Sequence, residues 1–408
     1  MARFKLISLL LCSLLAGCQG EQVQRSLEQG LAARLPDWRN QRPLAQTSPA
    51  LFPLTTEAEL NSALDRHVQT AELPGAVVAL ASSQRTWIRA AGRSSLSPSV
   101  DLEPTDRFRI GNLGEMFLAV ICLQLAEEEV LSLKDPITEW LPPELTQQFP
   151  EAQKITVRQL LNHTSALPDL DPELLRQAVT ADPDQRWTAP ELLKLVSTQP
   201  VTRPRGGYTY SQTNYLLLQL IIERASGGSL AEAVQTRIAK PLELKNTYVE
   251  LSATKTIAHA YQDWNQDGTR EDVTQPLLNT GLGLGSKAIV SNAPDLLKFF
   301  QILFSSNQLI TPAAREEMLT VVEMRRGGYG LGILNSMTRW GEMWGQADDS
   351  TPGFSAVIFY LPVHDLVVLV WTNTAGEPFN PSLELVERSL NIALGQTVRF
   401  STGPTIQW

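Results

Sequence analysis

The sequence predicts an α/β (α+β) fold: an antiparallel sheet flanked by helices, built from the N- and C-terminal segments, with an inserted, mostly helical domain. Two observations carry this reading. Runs of strand-forming residues lie at both ends of the folded region, around Val77 and Val368. The chain between them is patterned for helices, including one stretch, Met116 to Val130, that is apolar on nearly every face.

The elements follow in order. Thr56-x-x-Glu59 reads as a capping box opening a helix whose Leu60, Leu64 and Val68 share one face. Pro74-Gly75-Ala76-Val77-Val78-Ala79-Leu80 reads as a strand, Ser82-Ser83-Gln84 as a turn, and Thr86-Trp87-Ile88 as the return strand of a hairpin closing before Gly92. Helices are expected at Met116–Val130, Leu216–Glu223 and Pro294–Leu303. Val357–Tyr360 and Leu366–Trp371 form a second hairpin around Pro362 to Asp365, and a last helix runs from about Pro381 to Leu394.

The first residues read as an address rather than as fold. Arg3 and Lys5 precede an apolar run, Leu6 to Leu15, that is too short to span a membrane. Leu15-Ala16-Gly17-Cys18 then resembles a bacterial lipobox, with Cys18 as the lipidated first residue of the mature chain. Expected boundaries are therefore a lipoprotein signal peptide over 1–17, a lipidated Cys and Pro-rich tether over 18–55, and one folded domain over 56–400. In the tether, Val23, Leu27 and Leu31 permit a short helix before Pro36, Pro43, Pro49 and Pro53 break regular structure. This predicts a protein held by its lipid on the non-cytoplasmic side of a bacterial envelope membrane.

Composition narrows the function. With 43% hydrophobic and 19% charged residues the chain has globular composition, and a net charge of −9 gives it no electrostatic case for binding nucleic acid. Of three cysteines, Cys12 lies in the signal and Cys18 at the anchor, leaving Cys122 among Val120, Ile121 and Leu123 as a buried, inert thiol. His67, His163, His259 and His364 lie without ligand spacing, so no metal site and no cofactor is expected. Asp263-x-Asn265-x-Asp267-Gly268 begins like a calcium loop, but position twelve is Thr274, so an Asx-rich turn is the expectation.

The most informative stretch is Phe108-Arg109-Ile110-Gly111-Asn112-Leu113-Gly114-Glu115, which opens the apolar helix. Asn112 followed three residues later by Glu115 is a capping-box pattern, and a carboxylate suits the positive end of a helix dipole. A polar, ligand-binding pair is the second reading.

Several ordered segments then carry a resemblance: Pro74–Val78, Leu131-Ser132-Leu133-Lys134-Asp135-Pro136, Trp140-Leu141-Pro142, Ile155 through His163-Thr164-Ser165-Ala166-Leu167-Pro168 (Ala166 where the pattern has Gly), Pro241–Thr247, Ser291 to Leu296, and Tyr329-Gly330-Leu331-Gly332. Together they resemble the serine β-lactamase and penicillin-binding-protein-like family, in its class C β-lactamase, D-alanyl-D-alanine carboxypeptidase and esterase branch.

The resemblance implies a sheet domain and a helical domain with a pocket between them, and a nucleophile in a Ser-x-x-Lys motif. Here those positions are Asn112 and Glu115. Three residues apart on a helix, Ser and Lys would share a face, and the Lys would deprotonate the hydroxyl; Asn has no such oxygen. The second motif, Tyr-x-Asn, reads Tyr210-Ser211-Gln212. The third, Lys-Thr-Gly or His-x-Gly on a sheet-edge strand, falls in Gln346-Ala347-Asp348-Asp349 before Pro352-Gly353-Phe354, in either of two registers. No catalytic residue of the resemblance is intact, and its cationic group is missing. Asn112, Glu115, Tyr210, Gln212, Gln346, Asp348 and Asp349 are the expected binding residues, in a site that repels carboxylates and favours cations, amines or neutral polar ligands. The expected protein is an inactive member acting near the cell wall on cell-wall fragments or envelope proteins. The alternatives are a residual or altered carboxypeptidase, β-lactamase or esterase using water activated by Glu115 or Tyr210, and a scaffold with a filled pocket.

Overall fold

The computed structural model describes residues 54–182, 185–196, 204–249, 257–264, 267–274, 284–324, 327–375 and 381–395. The signal, Cys18 and residues 19–53 of the tether lie outside the described residues, as do Asn265 and residues 396–400; Leu54 and Thr55, expected in the tether, already belong to the first helix.

The centre is a nine-stranded antiparallel sheet. Its strands are β1 (Gly75–Ala81), β2 (Thr86–Leu96), β3 (Ser99–Asp101), β4 (Val322–Met324), β5 (Gly327–Tyr329), β6 (Leu334–Thr338), β7 (Gly341–Asp348), β8 (Ser355–Leu361) and β9 (Leu366–Thr372). Their order is β3-β2-β1-β9-β8-β7-β6-β5-β4. The first and last parts of the chain meet at the middle, where β1 pairs with β9, Val78 opposite Val370. The expected joining of the termini in one sheet is therefore observed.

Alternation explains the layers. Val77, Ala79 and Ala81 of β1, with Val367, Leu369 and Trp371 of β9, face the larger core. Ala76, Val78 and Leu80, with Leu366, Val368 and Val370, face the smaller one. The smaller core is covered by helices α1 (Leu54–Thr70), through Leu60 and Leu64, and α5 (Pro381–Ala393), through Leu385 and Leu390. The larger core holds α2 (Gly114–Glu127), α3 (Gln212–Ser226) and α4 (Ala293–Ser305). Eleven of the residues of α2 are buried, which is why its sequence has no polar face.

Two local expectations fail. Helix α1 already runs from Leu54, so Thr56 lies inside its first turn, buried, and does not cap it. The return strand does not close before Gly92; β2 continues to Leu96, with Gly92 at φ +89°, a conformation open to glycine, opposite Gly75.

Candidate functional site

The site forms where the start of α2 meets the end of β7 and the start of α3. Phe108–Arg109 is a short strand paired with Ile289–Ser291. The chain then turns at Gly111 (φ +58°) into a 3-10 turn, Gly111–Leu113, that leads into α2. A Cβ at Gly111 would lie 2.0 Å from Asp348 Oδ2, and one at Gly114 would lie 2.0 Å from the Ser286 carbonyl oxygen. Glycine at both positions lets this turn press against the β7 end and against the 3-10 turn Gly285–Ala288.

The capping reading of Asn112 and Glu115 is corrected by this geometry. Asn112 sits within the 3-10 turn, and neither that turn nor α2 has a side-chain cap. Asn112 Oδ1 instead accepts a hydrogen bond from the Tyr210 hydroxyl at 3.0 Å. Glu115 turns inward, 1% exposed. Its Oε2 accepts from the Tyr329 hydroxyl, from Gln346 Nε2 at 3.2 Å and from His163 Nε2 at 3.3 Å. The partners come from 48 and more residues away in sequence, so long-range packing overrides the local pattern.

The proton on His163 follows from its neighbours. Its Nδ1 faces two donors, the Ser211 N–H at 3.3 Å and Asn214 Nδ2 at 2.9 Å. The Asn214 amide is oriented by Ser165 Oγ, which donates to Asn214 Oδ1 at 2.6 Å. Nδ1 therefore accepts, the proton is on Nε2, and the neutral ring donates to Glu115. Glu115 Oε1 has no hydrogen-bond partner among the described residues. A buried acidic side chain held by neutral donors on one oxygen and without a partner on the other is a costly arrangement.

Aromatic rings enclose the pair. Around His163 stand Tyr208, Tyr210, Tyr215 and Tyr329, at ring-centroid distances of 5.9, 4.7, 5.3 and 5.0 Å. Burial, with Glu115 next in effect, pushes the Tyr210, Tyr215 and Tyr329 phenols well above their ordinary value. The Tyr210 hydroxyl acts here as a donor, to Asn112 Oδ1. Tyr208, Tyr215 and Tyr329 were not singled out from sequence as site residues. Tyr329 lay in a segment read only for its resemblance.

The register of the third motif is settled by strand alternation. Gln346 reaches Glu115 and also donates to the Tyr329 hydroxyl at 2.8 Å, while Ala347 faces the smaller core. Asp348 returns to the site side, beside Gly111. β7 is interior to the sheet, yet its pairing with β6 ends at Gly345, so Gln346–Asp348 pair with β8 alone. Asp348 is saturated by its own turn: Oδ1 accepts from Ser350 Oγ at 2.7 Å and Oδ2 from the Thr351 N–H at 3.1 Å. Gln212 opens α3, and its backbone N–H donates to Asp169 Oδ1 at 2.7 Å. Its buried side-chain Nε2 has no partner among the described residues.

One expectation about charge is also corrected. The motifs predict a site without a cation, but Lys287, 4% exposed, reaches Ser350 Oγ with its Nζ at 2.9 Å. Its lysine lies outside all three motifs. The sequence signal was a lone charge between small and apolar residues, Gly285-Ser286-Lys287-Ala288-Ile289, directly before a buried strand. Elsewhere the turn reading of the Asp263 loop fits the structure: Asp263 accepts the N–H groups of Asp267 and Gly268 at 3.0 and 2.9 Å.

The sequence model of the Beta-lactamase family matches residues 60–390. Penicillin-binding protein 4* of Bacillus subtilis (strain 168) is 26% identical over 314 residues, 73% of this chain and 68% of that protein. Esterase EstB of Burkholderia gladioli is 24% identical over 397 residues, 84% of this chain and 98% of the esterase. Among solved structures, a D-stereospecific amidohydrolase from Streptomyces sp. superimposes with a TM-score of 0.71 at 27% identity, covering 84% of this chain and 99% of that one.

Proposed function

The chain belongs to the beta-lactamase family, and from that premise we propose that it is a lipid-anchored envelope protein that no longer forms an acyl-enzyme at the family's site. It uses the site to bind a ligand bearing a cationic or neutral polar group, with cell-wall fragments or envelope proteins as the source. The observation that carries this reading is Glu115: buried, held by neutral donors on Oε2, and open on Oε1. Asn112 supplies no nucleophilic oxygen, and nothing at residue 115 can act as an amine base. In a serine hydrolase, removing such a nucleophile costs on the order of 10⁶-fold in rate. An ammonium placed against Glu115 Oε1 and the surrounding rings gains both a charge-assisted hydrogen bond and cation–π contact.

The lipid anchor at Cys18 rests on the Leu15-Ala16-Gly17-Cys18 pattern. Metabolic labelling with a fatty-acid probe, abolished by Cys18→Ser, tests it.

A second reading draws on the same open oxygen: Glu115 activating water in an altered hydrolase. Calorimetric titration separates the two. Binding of simple ammonium ligands without turnover, lost in Glu115→Gln, supports the binding module. Ester or amide turnover that disappears in Glu115→Gln supports the hydrolase instead.

A further inference from the structure

Lys287 stands at the same site with the opposite charge. It lies on the 3-10 turn Gly285–Ala288, which packs on the Asn112 turn through the close approach of Ser286 to Gly114. Its Nζ donates to Ser350 Oγ at 2.9 Å and lies 3.5 Å from the Ser350 carbonyl oxygen, on the loop after β7. Ser350 Oγ in turn donates to Asp348 Oδ1 at 2.7 Å, so Asp348 meets the ammonium only through that hydroxyl. On the other wall, Lys287 acts on Asp169: burial raises that carboxyl, and hydrogen bonds from the Leu170 and Gln212 backbones, then Lys287, hold it down. The ammonium thus sits against the loop after β7, on Ser350, while Asp169, which accepts the first N–H of α3, feels its charge.

An ammonium has three donors, and here both protein contacts are to one residue, the longer of them weak. Two neutral groups nearby are also unspent. Gln212 Nε2 and Thr351 Oγ1 are buried and have no partner among the described residues, and Thr351 Oγ1 lies 2.7 Å from where a Gly111 Cβ would be. The open groups therefore divide by chemistry: an acceptor at Glu115 Oε1, and donors at Lys287, Gln212 and Thr351.

We propose that the site takes a zwitterion, a free amino acid or short peptide, with its ammonium on Glu115 Oε1 and its carboxylate on Lys287, Gln212 Nε2 and Thr351 Oγ1. This rests on the reading that residues 112–115 bind rather than react, and it refines the charge preference of that site. A ligand with one charge leaves the opposite protein charge unmatched, and a buried unmatched charge is strongly unfavourable. The site discriminates by requiring both ends.

The test is isothermal titration calorimetry on the detergent-solubilised full chain. The zwitterionic probes are glycine, D-alanine, L-alanine and D-alanyl-D-alanine. Alaninamide carries only the cation and N-acetylalanine only the anion. At least one zwitterion is expected to bind about tenfold or more tightly than either singly charged probe, since a hydrogen bond to a charged group contributes on that scale. Lys287→Met brings the zwitterion down to the level of alaninamide, and Glu115→Gln brings it down to N-acetylalanine. Thr351→Val, which removes a hydroxyl without a protein partner, weakens the zwitterion several-fold and leaves alaninamide unchanged; it gives a readout even if Lys287→Met does not fold. Alaninamide binding as tightly as every zwitterion, with Thr351→Val silent, overturns the zwitterion proposal while the cation-binding reading stands. No binding of any amine overturns both.

Discussion

Glu115 and Asp348 are both carboxylates 1% exposed, at the same site, and they are built in opposite ways. Asp348 is satisfied locally: its oxygens accept from Ser350 and Thr351, two and three residues on, and its charge meets Lys287 through a hydroxyl. Glu115 is satisfied only on one side, by residues from three distant segments, and its other oxygen is buried without a partner among the described residues. The first pattern belongs to a group that holds a loop. On the binding reading proposed above, the second belongs to a group whose environment a ligand completes, since Oε1 has no partner among the described residues. On that reading, the residue that stands where the family pattern has its lysine is the one that meets the ligand.

Substitutions sharpen this contrast. The largest effect is expected from Asp348→Ala, which strips the turn of its acceptor and removes one of the two buried carboxylates, with Asp169, that balance Lys287. A loss of about 3–5 kcal/mol is expected in denaturant unfolding. Glu115→Gln removes an incompletely matched charge and keeps an acceptor for the same donors, so folding stability should stay within about 1 kcal/mol of wild type or rise. The same variant should lose ligand affinity. If Glu115→Gln costs as much stability as Asp348→Ala, the two carboxylates play one structural role and the contrast collapses.

Titration gives a second test. Burial pushes the Cys122 thiol up to about 12, while an unfolded thiol titrates near about 8.5. The folded state holds this proton more tightly, so its contribution is complete below the unfolded value and is lost as pH rises toward the folded one. The Tyr210, Tyr215 and Tyr329 phenols, raised in the same direction, extend the loss above about 10. Unfolding free energy should fall by about 1.4 kcal/mol per pH unit for each such group, and Cys122→Ala should flatten the part just above 8.5. A profile flat to pH 11 would contradict the burial described for these groups.

Smaller still is Ala166→Gly. Ala166 has φ +58°, in the left-handed region that costs a residue with a Cβ about 1–2 kcal/mol. Glycine relieves that strain, and the gain in the unfolding midpoint should correspond to about 1 kcal/mol after the entropy of glycine is subtracted. His163, at φ +54°, is bent the same way beside the site, but its ring is fixed by Ser211, Asn214 and Glu115 and does not admit the same change.

How much of this was legible in sequence depended on range. Strands at Val77 and Val368, and the helices from Gly114, Gln212, Ala293 and Pro381, follow from short apolar patterns and were read near their observed places. The Asn112, Glu115, Tyr210 and Gln346 positions were also read, because their order along the chain matched a known arrangement. Capping was misread twice, at Thr56 and at Asn112, for one reason. A polar residue ahead of an apolar run looks the same whether its partner is the next turn or a side chain such as Tyr210, 98 residues away. Lys287 escaped because a single lysine has no periodicity; only its small and apolar neighbours marked it.

The most direct measurement of the central claim is intact mass after incubation with a penicillin and, separately, with a fluorophosphonate. An unmodified mass is expected with both probes, since Asn112 cannot be acylated and Glu115 cannot serve as its base. A stoichiometric adduct removed by replacing one residue of the Asn112–Tyr210–Asp348 site would contradict it.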